Sequence, residues 1–317
     1  MDLKNLLALS MIKGVGPAFI KSNLSRIASD SDCLSLVRDY KSDQINVVSS
    51  LLLQAEEIIQ DCAQEGIEII SILSPDYPLS LKEISDPPCV LYIKGNKSLL
   101  YKCVAIIGTR HSSPLGNKIA ERLGEYYSHE FAICNGLVEG IDEHSIRVNG
   151  IILSNVVGII SGGLCYKETC SKNHQRIIED VLNAGGVVVS EYPPRIKSDE
   201  YSGSKASRIQ AGMSKGLILV QSSIEGGSKY TLKTYAKLGR PLGVIHFPSS
   251  EEYSTDLFSG NRLICQERTK GIAEIIGLKT STTIKIGDII MISSRDDYEL
   301  FTHSVNLGHT QILDLVI

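Results

Sequence analysis

The stretch from Cys103 to Arg110, which reads CVAIIGTR, decides the fold of this chain. Its five apolar residues, rich in β-branched side chains, are typical of a strand buried on both faces, as in a parallel sheet. Gly108 then allows a tight turn, and apolar residues at helical spacing predict a helix from about 115 to 129. The amides at the start of such a helix attract anions, and Arg110 can add a bidentate phosphate contact. The stretch predicts an anion site, with an ordinary turn and a surface arginine as the alternative.

Apolar runs and helical patterns alternate through the middle of the chain. This alternation predicts a doubly wound α/β fold, in which helices cover both faces of a mostly parallel sheet. Residues 1–70 read as a helical domain, residues 71–277 as the α/β domain, and residues 278–317 as a small β-rich module or an extension of the sheet. The predicted strands span residues 103–107, 131–134, 156–160, 186–190, 216–220 and 242–246.

The composition limits the class of protein. The chain has 317 residues, 43% of them apolar, which is enough for a sizeable core. Its net charge of -4 excludes a uniformly basic surface, so any contact with nucleic acid must come from a local basic patch. Eight cysteines are scattered without a CxxC pair, which indicates reduced thiols in the cytoplasm and no metal site. We expect neither an export signal nor a membrane-spanning segment.

Glycines and hydroxyl groups follow each predicted strand. Ligands of parallel sheets bind at the carboxyl ends of the strands, where glycine-rich turns offer backbone amides to phosphate. No nucleophile, base and orienting acid occur at a credible spacing, so we expect binding without catalysis and without a cofactor. The predicted cradle consists of Gly108, Thr109, Arg110, Asn135, Gly136, Gly140, Asp142, Gly162, Gly163, Gly226, Gly227 and Ser228.

Positive charge accompanies these turns. Arg110, Arg208 and Lys229 are predicted to neutralise phosphates, and Lys205 is a further predicted phosphate-binding residue. Arg208 precedes small residues in a predicted helix, which implies close packing against the site. Each lysine alone is more often part of a solvated helix face. Aromatic rings could stack on bases, and the candidates near strand ends are Tyr166, Tyr192, Tyr201 and Tyr230.

A glycine-rich hairpin lies between the first two predicted helices. It reads Ile12-Lys13-Gly14-Val15-Gly16-Pro17 and matches the turn of a helix-hairpin-helix, whose backbone amides meet DNA phosphates. A plain pair of packed helices is the equally good alternative.

Taken together, these residues resemble the DprA/Smf family of DNA-processing proteins. The match covers about 200 residues in the family's order, and the combination of motifs is specific although each is short. The motifs are Tyr77-Pro78, Asp86-Pro87-Pro88, Gly108-Thr109-Arg110, Gly140-Ile141-Asp142, Ser190-Glu191-Tyr192-Pro193-Pro194, Arg208 with Ala211-Gly212, and Gly260-Asn261-Arg262-Leu263-Ile264.

The resemblance implies a fold and a function. We expect a Rossmann-like domain that binds single-stranded DNA in a positively charged pocket, forms a homodimer and helps to load a RecA-type recombinase during DNA uptake or recombination. The family's RNRxIAGLS segment is altered here to residues 206–214, and its SGSLITA loop to residues 226–232. The chain is therefore expected to be a divergent member.

A second hypothesis follows from these changes. The altered pocket could bind a small nucleotide as a sensor, for example in defence against foreign DNA. The related phosphoribohydrolases carry a PGGxGTxxE segment, and residues 225–231 lack its proline and its glutamate, which disfavours catalysis. A dehydrogenase is disfavoured because no GxGxxG turn follows the first strand. A scaffold that has lost its ligand is a third alternative.

Overall fold

A computed structural model describes residues 1–29 and 33–313 of the chain, and the side chains up to residue 308. Within this part, eleven strands alternate with helices, as the sequence predicts. The strands are β1 (Glu68–Ser71), β2 (Val90–Gly95), β3 (Cys103–Ile107), β4 (Ala132–Asn135), β5 (Arg147–Val148), β6 (Ile151–Ile152), β7 (Val156–Ile159), β8 (Val187–Ser190), β9 (Ser214–Leu219), β10 (Leu242–Ile245) and β11 (Ile289–Ile292).

Nine of the described strands form one twisted layer, in the order β1-β2-β8-β7-β4-β3-β9-β10-β11. The seven strands from β8 to β11 in this order are mutually parallel, while β1 and β2 join antiparallel at one edge. The strand β3 lies near the centre, between β4 and β9, and all five of its residues are buried. The strand order changes direction there, so the polar turn after β3 lies at a switch point of the sheet.

The helices cover the sheet and build the amino-terminal region. They are α1 (Leu3–Ser10), α2 (Pro17–Ser22), α3 (Leu24–Ser29), α4 (Cys33–Tyr40), α5 (Val48–Gln64), α6 (Leu79–Lys82), α7 (Pro114–Tyr127), α8 (Ile141–Ser145), α9 (Tyr166–Thr169), α10 (Lys172–Asn183), α11 (Ser202–Met213), α12 (Ser228–Tyr235), α13 (Ser259–Glu267), α14 (Thr269–Ile275) and α15 (Asp296–Leu313). Short 3-10 turns span Ser42–Val47, Lys97–Tyr101, Glu252–Ser254 and Asp256–Phe258.

The predicted mixed fold with a mostly parallel sheet is confirmed. Each of the six predicted strands is present, and their ends differ by at most two residues. The largest shift is at β9, which begins at Ser214 rather than at 216 because Ser214 pairs with Cys103 across the sheet. The polar Ser214 and Lys215 hid this pairing, since a buried strand is recognised by a continuous apolar run.

The amino-terminal residues fold as the predicted helices, and their apolar side chains join the core beneath the sheet. Leu6, Leu9 and Ile20 are buried in the same cluster as strand residues such as Val104. The predicted boundary after residue 70 falls inside β1, which pairs with β2. The domain limits at 70 and 277 therefore stay predictions. No helix in the described ranges is long and apolar enough to cross a membrane.

The carboxyl-terminal tail extends the sheet, which is one of the two forms expected for it. The strand β11 pairs in parallel with β10 at the open edge. The expectation of a β-rich module is corrected, because most of the remaining tail forms the helix α15. Phe301 and Val305 of this helix are buried, and Gly216 of β9 leaves room for both side chains. The apolar residues that suggested β structure serve this packing.

Candidate functional site

A cleft of about 710 Å³ opens at the carboxyl ends of the parallel strands. We call it the strand-end cleft. The turn after β3, the start of α12 and one side of α11 line it. Of the predicted site residues, it brings together Gly108, Thr109, Arg110, Gly136, Asp142, Gly227 and Ser228.

Two amides at the start of α12 make the cleft suited to an anion. In the part of the chain that the structure describes, the backbone N–H groups of Gly227 and Ser228 have no hydrogen-bond acceptor, and no side chain caps this helix. Gly227 is exposed, and a side chain added there would meet open space. Arg110 lines the same cleft with an exposed side chain. Amides at a helix start and a guanidinium are complementary to a phosphate group.

The turn of Gly140-Ile141-Asp142 packs against the loop that carries Arg110. Gly140 has a φ of +83°, and a Cβ atom there would lie 2.4 Å from the Thr109 carbonyl oxygen. The Ile141 amide donates to that oxygen at 3.1 Å, which fixes the loop that carries Arg110. Gly140 therefore acts through backbone packing and is outside the cleft lining.

Asp142 is a buried carboxylate at the floor of the cleft. Its Oδ2 accepts a hydrogen bond of 2.8 Å from the Gly136 amide. Burial is the largest influence and raises the pKa of Asp142 to about 7, against the opposing effect of the amide hydrogen bonds. The Gly136 amide is thus occupied and does not face a ligand, although Gly136 itself lines the cleft.

Arg208 requires a correction. From the sequence we expect it to neutralise a phosphate, but its side chain is only 9% exposed and lies outside the cleft lining. Its two terminal nitrogens donate to both carboxylate oxygens of Glu191 at 2.8 and 2.7 Å, and Nε donates to Asp86 at 2.9 Å. Arg208 therefore holds α11 to the Ser190–Pro194 loop and to the Asp86 turn, and its charge is already neutralised.

Other predicted residues are structural or peripheral. The Asn135 side chain is fully buried and donates to the Asp142 carbonyl oxygen and the Ser145 hydroxyl. The Gly163 amide donates to the Ile196 carbonyl oxygen, while Ser161 lines the cleft instead. The remaining four do not line the cleft: Gly162 lies near Thr169, Gly226 donates to Ser223, Lys229 pairs with Glu225, and Lys205 lies over the Tyr192 ring.

Sequence reasoning missed several lining residues. Gly203, Ser207 and Gln210 recur at helical spacing on α11, and this spacing would have placed them on one face once the helix was located. His174 comes from α10 and carried no signal in the sequence. Burial lowers the pKa of His174, so its imidazole is neutral near pH 7. Two of the four proposed stacking residues, Tyr201 and Tyr230, do line the cleft and are exposed.

The charge of the cleft is lower than the resemblance implies. Among the described residues, Arg110 is the one arginine or lysine in its lining, and Glu200 is also present. A phosphate here would be held mainly by amides and hydroxyl groups. The described residues also contain no group of three or more side chains suited to a metal ion.

Comparisons with known proteins identify the family. The family described as DNA recombination-mediator protein A matches residues 55–281. The DNA processing protein DprA of Bacillus subtilis is 29% identical over 200 residues, which cover 62% of this chain and 66% of that protein. Curated relatives are matched over 50% to 66% of their own lengths.

Solved structures share the fold. The crystal structure of DNA processing protein A from Streptococcus pneumoniae aligns with a TM-score of 0.73 at 21% identity, covering 95% of this chain and 98% of that chain. DNA processing protein A from Helicobacter pylori, described with its single-stranded DNA binding mode, aligns with a TM-score of 0.58 at 20% identity, covering 75% of this chain and 97% of that chain. With the family match over residues 55–281, the chain belongs to the DNA recombination-mediator protein A family, the DprA/Smf proteins.

Proposed function

We propose that this chain is a DNA-processing protein that binds single-stranded DNA in the strand-end cleft. The observation that carries the proposal is that the Gly227 and Ser228 amides, which have no acceptor among the described residues, share one cleft with the exposed Arg110. The exposed rings of Tyr201 and Tyr230 line the same cleft and offer faces on which bases can stack. The single-stranded DNA binding described for the Helicobacter pylori relative supports the same ligand.

The wider role follows from the family. We propose that the chain acts in the cytoplasm as a homodimer without enzymatic activity, and that it helps to load a RecA-type recombinase on DNA during recombination or uptake. The hairpin around Gly14 and Gly16 is proposed as a further phosphate contact. Gly14 has a φ of +83°, which suits the turn between α1 and α2.

A second candidate is the binding of a small nucleotide. The single arginine and the nearby Glu200 favour it, because a cleft with so little positive charge gains little from a long polyanion. In that case a mononucleotide should compete with a labelled DNA strand at concentrations close to those of unlabelled strand, counted per nucleotide.

The test is fluorescence anisotropy of a labelled oligothymidine over a salt series, with duplex DNA as competitor. Gly227→Glu places a carboxylate where the phosphate would lie, and Gly227→Gln is the matched control because it adds nearly the same bulk without charge. Both side chains enter open space, so the fold should be retained. We expect Gly227→Glu to weaken binding much more than Gly227→Gln. Equal affinity of the two variants would refute the cleft as a phosphate site.

Arg110→Gln gives an independent readout. A single strand releases about 0.7 counterion for each neutralised phosphate, so this variant should lower the slope of log affinity against log salt by about 0.7. Lys237→Gln is the control, since Lys237 is exposed and does not line the cleft. A slope that changes equally in both variants would count against a specific contact with Arg110.

A further inference from the structure

A second concavity of about 640 Å³ lies beside α7, at the edge of the sheet that β11 extends. We call it the lateral groove. One side is the face of α7 that carries Lys118, Arg122 and Tyr126, and the other side is the start of α15 with Arg295 and Tyr298. Phe247, which follows β10, also lines the groove. The carboxyl-terminal tail therefore creates this groove.

The lateral groove carries the positive charge that the strand-end cleft lacks. Lys118, Arg122 and Arg295 are all exposed and line it, and Glu125 is the one acidic residue among the described residues of the lining. Within the described ranges, no carboxylate lies within 4 Å of any of these three cations. Lys118 and Arg122 are four residues apart on α7 and so follow each other along one face. Unpaired cations on one face form a local basic patch on an acidic protein.

Aromatic rings stand among these cations. The Tyr126 and Tyr298 rings are half-buried, pack edge to face with centroids 5.0 Å apart, and line the groove. Phe247 lines the groove and is 37% exposed. An exposed ring beside cations suits a ligand that alternates phosphates with bases, because bases stack on aromatic faces while cations follow the backbone. An acidic peptide would use the cations and leave Phe247 without a role.

The helix α7 links the two regions. It begins at Pro114, four residues after Arg110, and it also supplies Lys118 and Arg122. Phe247 and Ser293 follow β10 and β11, so the groove opens toward the same carboxyl edge of the sheet as the cleft. Residues 110–114 therefore connect the cleft to the start of α7.

We propose that the lateral groove binds a second segment of the single-stranded DNA that occupies the strand-end cleft. Its phosphates would contact Lys118, Arg122 and Arg295, and one base would stack on Phe247. The continuous path rests on the proposed function, but the groove's charge and aromatic ring do not depend on the cleft.

The test uses a groove triple variant, Lys118→Gln, Arg122→Gln and Arg295→Gln. Its matched control neutralises three exposed lysines that line neither region, as Lys237→Gln, Lys270→Gln and Lys279→Gln. Anisotropy is measured over a salt series with oligothymidines of about six and about thirty nucleotides, because site sizes for single strands begin near four nucleotides. For the long strand, loss of three phosphate contacts should reduce the salt slope by about 2. The short strand should bind to the groove variant and to the control variant with equal affinity.

Phe247→Ala tests the stacking contact separately. We expect it to weaken binding of the long strand by about fivefold or more, with the salt slope unchanged. Polyglutamate of matched charge serves as a competitor. If polyglutamate displaces the labelled long strand at the same concentration of charge as unlabelled oligothymidine, the groove is a general polyanion site and the nucleic-acid inference is overturned.

The outcomes separate this inference from the proposed function. If Gly227→Glu weakens binding of both oligothymidines and the groove variant binds them with the same affinity as its control, the cleft proposal is supported and the groove inference is refuted. If the groove variant alone weakens binding of the long strand, the groove binds DNA by itself, and the cleft proposal and the continuous path both fail. If both variants bind the long strand like their controls, both proposals are wrong.

Discussion

Replacing Arg208 with alanine should lower the stability of the fold but have little effect on the affinity for any ligand. The guanidinium bridges two carboxylates, and its partner Glu191 is 12% exposed while Asp86 is 40% exposed. Removing the guanidinium leaves the Glu191 carboxylate buried without its cationic partner. It also removes the group that donates a hydrogen bond to the Lys205 carbonyl oxygen. Breaking a buried ion pair by deleting one partner costs roughly 3 to 5 kcal/mol. Because Asp86 is well solvated and contributes little, we expect a loss of about 3 kcal/mol.

The assay is equilibrium unfolding in urea, followed by circular dichroism. Arg208→Ala should lower the free energy of unfolding by about 3 kcal/mol. The double variant Arg208→Met with Glu191→Gln should recover much of this loss, because no charge then remains buried without a partner. A double-mutant cycle over Arg208 and Glu191 isolates the coupling between the two side chains.

The same variant separates the two roles considered for Arg208. Under conditions where Arg208→Ala is folded, its salt slope for single-stranded DNA should equal that of the wild type, since the guanidinium lies outside the cleft. The reasoning is refuted if the variant keeps its stability but loses about 0.7 from the salt slope, which is the signature of a lost phosphate contact.

Three further perturbations test the cleft. Burial raises the pKa of Asp142 to about 7, so the folded state keeps a proton that the unfolded chain releases above about pH 4, and stability falls as pH rises toward 7. Asp142→Asn should remove this pH dependence. The difference in the free energy of unfolding between pH 5 and pH 8, measured in urea, should then be smaller by about 3 kcal/mol. An unchanged difference would contradict the raised pKa of Asp142. Gly140→Ala should lower the free energy of unfolding by about 1 to 3 kcal/mol or more, because the φ of +83° and the close Thr109 carbonyl oxygen both disfavour a Cβ atom. Wild-type stability of this variant in urea would contradict the packing. Tyr201→Ala and Tyr230→Ala should each weaken single-strand binding in anisotropy with an unchanged salt slope, whereas unaltered affinity in both would remove stacking from the proposal.

From the sequence we could locate six of the nine strands described in the main sheet, because buried parallel strands are continuous apolar runs. β3 is found over the predicted residues, and β7 and β8 differ from prediction by one residue at one end. The tail was harder to interpret, since α15 packs apolar residues such as Phe301 and Val305 that suit a strand as well as a helix. Only its position against β9 decides between the two.

Arg208 shows why the site was predicted only in part. Its helix and its neighbouring small residues were visible, but its partners Asp86 and Glu191 lie 122 and 17 residues away. Local pattern cannot show that a cation is already paired by tertiary contacts. Gly136 presents the same difficulty, because its amide is occupied by the Asp142 carboxylate across a turn. Backbone amides count toward an anion site only when tertiary structure leaves them unpaired.

The distribution of charge gives the two regions different parts in binding. In the described structure the strand-end cleft has one arginine, and the lateral groove has three cations without carboxylate partners. If one strand occupies both, the groove supplies most of the salt-dependent affinity, with a slope near -2 of a total near -3. The cleft then contributes mainly hydrogen bonds and stacking, which salt affects little. High salt should therefore abolish the advantage of a long strand over a short one while the cleft remains occupied, because counterion release is the part of the free energy that salt removes.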